Sequence, residues 1–460
     1  MGNSLAKKPW MLLCFLFLSS GGQDRSSAPP ALKSLTDEAP DVSNLKAEQD
    51  KSHFLLPAAP LGIVTKEDEI RNFFGEKRYD EALNVIAAEL KRLDANHGDS
   101  SYREWLERQK WILKTAQAWV YLEKQNCSQG APLLQEIPSD KLPEIALKGL
   151  GYCKLLNRDW TDAEAYLSRY IQNQKTDPEA VQLLARVKES QGLYEEALDL
   201  TKSLESMPET GVAKLDLEPM KKSLMAKQDE SERQLLLESG FFRVHYQPNL
   251  TLEFIEKVVE TMNRTATKLN MDFGIDYPSH IVDISFHSLE RFGEITHSPD
   301  WAAGIYDGQI RLPIGEEGLW SEEIERAIRH ELAHALLAEM VQCRNLPTWF
   351  QEGFAQMAEC ETLCLHYEYV ATTRPFLPIN RFDETFMSMQ ARDAQVAYKQ
   401  SFYMMLLLNR HQKDANMRQM FALLPELENL SSKDIVEQSA WTFAELHQYA
   451  KQAWQGQLSF

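Results

Sequence analysis

The chain has 460 residues and a formal net charge of −19 at pH 7. This length is sufficient for two domains with separate cores, together with flexible tails. The acidic balance argues against nucleic acid or an anionic membrane surface as a partner, because both favour clustered lysine and arginine.

The segment 1–22 has the pattern of a secretory signal peptide. Lys7 and Lys8 precede nine apolar residues over 10–18, and small residues follow over 19–22. Nine apolar residues are too few to cross a bilayer, so we expect no transmembrane span in the mature chain. Cys14 lies inside the apolar run rather than at its end, which argues against a lipid anchor at this residue, and the anchor stays only as an open alternative. We therefore predict an exported protein in the periplasm or another extracytoplasmic space.

Residues 23–62 are predicted to be a flexible linker, because five prolines stand there among serine, aspartate and alanine.

An exported chain can form disulfides. The chain has six cysteines, and cleavage of the signal peptide would remove Cys14. An odd number leaves at least one thiol without a partner in the chain. The pairing stays open among the remaining five, which are Cys127, Cys153, Cys343, Cys360 and Cys364.

Residues 63–209 are predicted to form an all-α array of tetratricopeptide-like helical hairpins. The segments "RYDEAL", "DWTDAE" and "LYEEAL" each place an alanine three residues after an aromatic residue. The interval from Ala163 to Ala197 equals the tetratricopeptide period. A degenerate repeat is expected over 103–140. Such arrays bind protein partners on a concave surface, or else they only support the neighbouring domain; both alternatives stay open.

The region after the repeats changes character. Residues 210–240 are predicted to be a connecting helix, and 241–460 an α+β domain. Strands are expected over 241–246 and 280–288, because β-branched and aromatic residues recur there. Asp307–Gly308 between two short apolar runs indicates a β-hairpin. Further expected elements are helices over 252–269 and 321–342 and a helical tail from Gln390. If 309–313 is the sheet edge beside the helix over 321–342, an extended peptide could pair with it, and an edge covered by a loop is the open alternative.

The segment "HELAH" carries the first candidate site. His330 and His334 are four residues apart, so on a helix their side chains project from the same face. Two imidazoles placed in this way can bind one metal ion. Glu331 would face the same cleft, where its carboxylate could take a proton from a metal-bound water molecule. This H-E-x-x-H pattern is typical of zinc peptidases.

A third ligand is expected downstream, because a catalytic zinc site needs three protein ligands and an open position. Pro347 ends the first helix region and favours the start of a second helix. Glu352 in "PTWFQEGFA" then lies near the start of that second helix. A short turn and an antiparallel return would bring Glu352 opposite the histidines. Gly353 would allow close approach of a neighbouring backbone.

"HELAHALLAEM" followed by "LPTWFQEGFAQ" resembles the gluzincin metallopeptidases, in particular the bacterial peptidase MA-like group with its HExxH…PxWxxEGxA signature. The resemblance covers roughly residues 241–460. It implies a zincin-type fold with a small mixed sheet and helices. It also implies that His330, His334 and Glu352 bind one Zn²⁺ and that Glu331 is the general base.

The predicted function is zinc-dependent hydrolysis of peptide bonds in a protein or peptide substrate. Tyr398 in "AYKQS" is the candidate that would stabilise the oxyanion if its helix packs over the cleft, the alternative being a core tyrosine. The competing hypothesis is a non-catalytic repeat scaffold or envelope assembly factor with a peptidase-like domain. The sequence does not fix the oligomeric state or the substrate.

Overall fold

The computed structural model describes residues 66–95, 99–174, 177–207, 217–298, 302–315, 317–342, 344–359, 375–383, 386, 389–411, 417–439 and 441–455. The predicted signal peptide and linker therefore lie outside the described residues. Cys343, Cys360 and Cys364 also lie outside them. The described part of the chain is mostly helical with one small mixed sheet, as expected for an α+β protein.

The first part of the chain is helical, and helices that follow one another in the sequence also pack on one another. Its helices are α1 (Glu67–Gly75), α2 (Tyr79–Ala95), α3 (Ser100–Leu122), α4 (Cys127–Gln135), α5 (Glu144–Leu156), α6 (Trp160–Asn173), α7 (Pro178–Ser190) and α8 (Tyr194–Leu204).

Two hairpins of this region repeat with a fixed offset. The start of α7 follows the start of α5 by the same interval that separates Ala163 from Ala197, and α8 follows α6 in the same way. The alanines of the aromatic–alanine pattern are all completely buried: Ala82, Ala163 and Ala197. A Cβ on Gly151 would lie 2.7 Å from Leu167 Cγ, so α5 and α6 are in close contact at this small residue. The assignment to the tetratricopeptide class stays a prediction.

The poorly matching segment "NCSQGAPLL" forms α4, which starts after Asn126. The Asn126 side chain accepts a hydrogen bond from the backbone N–H of Gln129, as expected of a helix N-cap. Cys127 at the start of α4 forms a disulfide with Cys153 of α5, with Cα atoms 5.4 Å apart. The degenerate hairpin is therefore covalently linked to the next one.

The expected connecting helix over 210–240 is only partly correct. A helix α9 spans Glu218–Ser231, but Leu235–Ser239 forms strand β1. Strand β1 pairs antiparallel with β2 (Phe242–Tyr246) across Gly240, whose φ is +61°. The leucines before Gly240 suit a helix and a strand equally well, so pairing with β2 decides the conformation. The sheet thus begins before residue 241.

The sheet has five strands in the order β1-β2-β3-β5-β4, where β3 is Val282–Ser288, β4 is Ile305–Tyr306 and β5 is Ile310–Ile314. Strand β3 pairs parallel with both β2 and β5, whereas β4 and β5 form the predicted antiparallel hairpin.

The prediction that 309–313 forms the sheet edge is wrong. Strand β5 lies inside the sheet, and β4 is the edge beside it in the described residues. Proline cannot donate a backbone hydrogen bond to a neighbouring strand, so Pro313 would suit an edge. It is tolerated in β5 because β4 pairs only with Ile310 and Arg311 and so ends before Pro313.

One face of the sheet packs on α10 (Leu252–Phe273) and α12 (Glu322–Met340), where Phe242, Ile284 and Leu312 are buried in a common apolar core. The predicted helices over 252–269 and 321–342 correspond to these two. The remaining elements are α11 (Leu289–Thr296), α13 (Thr348–Glu359), α14 (Ala391–His411), α15 (Met417–Leu423), α16 (Ser432–Val436), α17 (Phe443–Trp454) and short 3₁₀ helices at Ile379–Asp383 and Leu424–Glu426.

Candidate metal centre

Helix α12 places the two histidines. Its start is fixed by Ser321, whose side chain accepts a hydrogen bond from the backbone N–H of Ile324. Acidic residues in the first turn stabilise the helix further, because their negative charge interacts favourably with the positive end of the helix dipole. His330 and His334 lie one turn apart, and their Nε2 atoms approach to 3.1 Å. The four-residue spacing therefore brings the two rings to one point, as predicted.

Helix α13 places the glutamate. It begins at Thr348, directly after Pro347. Glu352 Oε2 lies 3.3 Å from Nε2 of His330 and 3.5 Å from Nε2 of His334. An added Cβ on Gly353 would lie 2.5 Å from the carbonyl oxygen of Ser401, so only glycine lets α13 approach α14 this closely. The glycine and the turn together bring Glu352 opposite the histidines.

The donor set fits a metal ion. The candidate ligand atoms of His330, His334 and Glu352 all lie within 4.8 Å of one another. Glu352 Oε2 is a buried atom without a hydrogen-bond partner in the described residues, although two ring nitrogens stand nearby. A buried carboxylate oxygen without a partner is costly, and a cation at the centre of the three groups would satisfy it. Two imidazoles and one carboxylate are a common catalytic zinc set.

The electrostatics of the cluster also favour a positive charge there. Burial favours the neutral carboxyl of Glu352, but the adjacent His334 and His330 outweigh burial and lower the pKa of Glu352 to about 2. Burial likewise favours the neutral imidazole of His330. Glu352 and Glu359 outweigh it and hold the pKa of His330 well above its usual value. The carboxylates thus stabilise positive charge at this position, whether a proton or a metal ion carries it.

Glu331 is buried beside the cluster, with 6% of its surface exposed. The chain just before β4 passes directly against it: a Cβ on Gly304 would lie 2.8 Å from Glu331 Oε1 and 3.0 Å from its Cγ. The edge strand β4 therefore begins immediately after the residue that contacts the candidate general base. Sequence analysis predicted a hairpin around Asp307–Gly308 but did not identify this contact.

Glu359 is a residue at this centre that sequence analysis missed. Its Oε1 lies 2.8 Å from Nδ1 of His330, and its Oε2 accepts a hydrogen bond from Nη2 of Arg326 at 2.8 Å. One sequence signal was available: Glu352 and Glu359 are seven residues apart, which places them on the same face of a helix.

Tyr398 lies on α14 and is partly buried. Its ring contacts Phe386 edge-to-face with centroids 5.4 Å apart, and its backbone carbonyl accepts a hydrogen bond from Gln356 at 2.7 Å. Gln356 lies one turn after Glu352 on α13. Tyr398 thus belongs to the helix that packs behind Glu352, and its role in stabilising an oxyanion stays a prediction.

Two further histidines of the described residues, His287 and His297, lie outside the cluster. His287 is buried on β3 between Ser285 and Glu230, and His297 contacts the backbone carbonyl of Pro219. Within the described residues, His330, His334 and Glu352 form the group that could hold a metal ion. In that same part of the chain, no helix combines the length and apolar character needed to cross a membrane.

Comparison with known families identifies the region that contains this centre. Residues 262–457 match the family model described as the Peptidase MA superfamily. A search of curated proteins gave no match to the chain. The matched segment begins within α10 and includes α12 and α13, with all the candidate ligands and Glu331. The match supports a zincin-like peptidase domain in the C-terminal part of this chain.

Proposed function

We propose that the C-terminal region is a zinc metallopeptidase that hydrolyses peptide bonds of a protein client. The observation that supports this most is Glu352 Oε2, a buried atom that has no hydrogen-bond partner among the described residues and faces the Nε2 atoms of His330 and His334. The Peptidase MA match over the same helices supports protease activity. One Zn²⁺ per chain is the proposed metal, because a His₂Glu set favours zinc over ions that prefer oxygen ligands.

Each residue of the centre has a proposed part. His330, His334 and Glu352 would hold the ion, which when bound polarises a carbonyl and lowers the pKa of a water molecule. Glu331 would accept the proton of the attacking water on its carboxylate and then deliver it to the departing amine. Its burial against Gly304 supports this role, since it keeps the carboxylate in a fixed position. Tyr398 is proposed to stabilise the oxyanion.

We further propose that the substrate binds as an extended peptide along β4. This strand is a sheet edge in the described residues, and Gly304 just before it contacts Glu331. An exposed edge can pair with an added peptide strand through backbone hydrogen bonds. A peptide in this position would pass beside the candidate general base, which favours a polypeptide over a small compact substrate.

Export and partner binding complete the proposal. The disulfide between Cys127 and Cys153 supports an oxidising compartment such as the periplasm, in agreement with the predicted signal peptide. The helical hairpins would bind the client or a protein partner. A membrane tether through a lipid anchor is the alternative to a free exported chain.

The test compares wild type with Glu331→Gln and Glu352→Gln, and uses Glu339→Gln as the matched control. Glu339 lies on the same helix, but its carboxylate accepts a hydrogen bond from Ser279 outside the cluster. The assay is cleavage of a complex peptide mixture, read by mass spectrometry, with zinc content measured on the same samples.

Glu331→Gln should keep zinc and lower turnover by about 10²-fold or more, because it retains shape and loses basicity. Glu352→Gln should lose zinc and activity together, and Glu339→Gln should behave as wild type. Equal cleavage by wild type and Glu331→Gln would refute the proposal that this centre hydrolyses peptide bonds, and it would favour a zinc-bearing scaffold.

A further inference from the structure

The helical hairpins of the first part of the chain contact the C-terminal region through their turns. In the turn between α3 and α4, the Gln125 side chain accepts a hydrogen bond from the backbone N–H of Asn345 at 3.2 Å. In the turn between α5 and α6, the Arg158 guanidinium lies over the ring of Tyr306, 5.3 Å from its centroid. Asn345 shortly precedes α13, and Tyr306 belongs to the edge strand β4. Two successive turns therefore lie against the segments that lead to the candidate site.

These turns share one backbone conformation. Gln125 and Arg158 both have a φ of +58°, and the equivalent residue between α7 and α8 is Gly192, with a φ of +76°. In each turn, the N–H of this residue bonds to the carbonyl three residues earlier, and the next N–H bonds to the carbonyl five residues earlier. Glycine adopts this left-handed conformation at little cost, whereas a residue with a Cβ is strained in it. Arg158 thus carries a long side chain at a position that favours glycine.

The Arg158 side chain reaches the face of β4 that is turned toward α12. Tyr306 packs against the apolar core that includes residues of α12. Gly304, directly before β4, lies on the same side of the extended chain, about 7 Å from Tyr306 along the strand. A Cβ on Gly304 would lie 2.8 Å from Glu331 Oε1. Arg158 is therefore placed beside the path that a peptide along β4 would take past the candidate general base.

The charge of Arg158 is not matched by a carboxylate contact. Its Nη2 atom is buried and has no hydrogen-bond partner in the part of the chain that the structure describes. The neighbouring Asp159 instead binds Lys154 at 2.7 Å and caps α6. The Tyr306 ring attracts the cation, but it does not replace the two oxygen acceptors that a guanidinium fork matches in a carboxylate. The position therefore suits an anionic group of a ligand.

We propose that Arg158 is a specificity-determining residue that binds a carboxylate group of a peptide lying along β4. This inference rests on the proposed function and adds the class of substrate, which is a peptide with an acidic side chain or a free C-terminal carboxylate near the scissile bond. Tyr306 holds the guanidinium against the strand, and the guanidinium donates to the carboxylate. The hairpins thereby contribute a side chain to the substrate groove itself.

The experiment compares wild type with Arg158→Gly and Arg158→Lys. Glycine suits this turn, as Gly192 does in the equivalent one, so Arg158→Gly removes the side chain without straining the backbone. The matched control is Arg103→Gln on α3, because Arg103 pairs with Asp94 at an exposed position of the hairpins. The unfolding midpoint of every variant is measured in parallel.

The probes are synthetic peptide libraries in matched sets. One pair of sets carries Asp and Glu or, at the same positions, Asn and Gln; another pair has a free or an amidated C-terminus. Mass spectrometry gives kcat/KM for each set. Dissociation constants of the same peptides are measured on Glu331→Gln, with and without Arg158→Gly, which gives a reading that does not depend on turnover.

We expect wild type to favour one of the two carboxylate sets over its amide counterpart by about 10–100-fold, since hydrogen bonds to charged groups are among the stronger ones. The set that is favoured shows whether the carboxylate belongs to a side chain or to the C-terminus. Arg158→Gly should lose this preference. Arg158→Lys should retain part of it, because lysine keeps the charge but not the planar fork. Arg103→Gln should behave as wild type.

Three results would overturn the proposal: no preference for either carboxylate set in wild type, an unchanged preference in Arg158→Gly, or an equal loss for acidic and amide sets. The last result would show that Arg158 only packs the hairpins against β4. Failure of the proposed hydrolysis would appear differently, as equal cleavage by wild type and Glu331→Gln. The dissociation constants would then still decide the role of Arg158.

Discussion

Two buried polar clusters in this protein are built alike but differ in how their charges are satisfied. In the repeat region, the Lys148 ammonium on α5 lies 3.0 Å from Asp177 and 2.6 Å from Glu179, and its side chain is only 5% exposed. Asp177 also accepts from Tyr170 and from two backbone N–H groups at the start of α7. Every charge in this cluster has a partner, so the cluster is closed.

The centre between α12 and α13 is open, because one of its charged groups lacks such a partner. Glu352 Oε2 is buried without a hydrogen-bond partner in the described residues, and two ring nitrogens converge on the same point. Both clusters draw polar groups from neighbouring helices. The difference teaches that a closed set of charges supports the fold, whereas a convergent set with an unpartnered atom indicates a binding site.

The largest loss of unfolding free energy in this comparison should follow from removing the cation of the closed cluster. Lys148→Met removes the cation and leaves Asp177 and Glu179 beside each other without it, which should cost about 3 kcal/mol of unfolding free energy. Lys154→Met on the same helix is the control, because Lys154 contacts Asp159 and Asp162 at a more exposed position and should cost about 0–1 kcal/mol. Chemical denaturation checks both variants. Equal losses would show that burial of the Lys148 cluster is unimportant.

A smaller loss of stability should follow from separating α13, which carries Glu352, from the neighbouring helix α14. Gly353→Ala places a Cβ 2.5 Å from the Ser401 carbonyl oxygen, so α13 or α14 must shift. We expect a loss of about 1–3 kcal/mol and weaker zinc binding, because Glu352 moves with α13. Gly293→Ala on α11 is the matched control, since the added Cβ meets no atom of the described residues within 4 Å and alanine should stabilise that helix slightly. Unchanged stability and zinc affinity in Gly353→Ala would contradict the close approach.

The smallest effect is the change with pH in the stability that the pairing of Lys148 with Asp177 contributes. Burial works to raise the pKa of Asp177, but Lys148 and Tyr170 outweigh it and lower that pKa. A lowered carboxyl pKa contributes stability above the unfolded value of about 3.9, and the contribution is lost as pH falls through the folded value. The stability difference between wild type and Lys148→Met should therefore be largest near neutral pH and decrease as pH falls and Asp177 becomes protonated. Urea titrations at several pH values measure it; a difference that is still undiminished at pH 2.5 would contradict the pairing.

The sequence predicted those features that depend on local spacing. The convergence of His330, His334 and Glu352 followed from a four-residue helical spacing and a proline-bounded turn, and the β4–β5 hairpin followed from Asp307–Gly308. These signals are short-range, so neighbouring residues are enough to specify them.

Features that depend on distant partners were missed. Strand β1 takes its conformation from pairing with β2, and β4 is the edge because β5 pairs with β3, a strand that is distant from it in the sequence. Glu359 could be placed on the face of Glu352, but its contact with His330 depends on the packing of α13 on α12. Helical periodicity alone does not specify that packing.

The most direct test of the central claim is the zinc content per chain of metal-loaded protein after gel filtration, compared among wild type, His334→Ala and Lys148→Met. We predict one zinc per chain in wild type and in Lys148→Met, and substoichiometric zinc in His334→Ala, because only the open cluster binds the ion. Absence of zinc from wild type, or equal zinc in wild type and His334→Ala, would contradict the account.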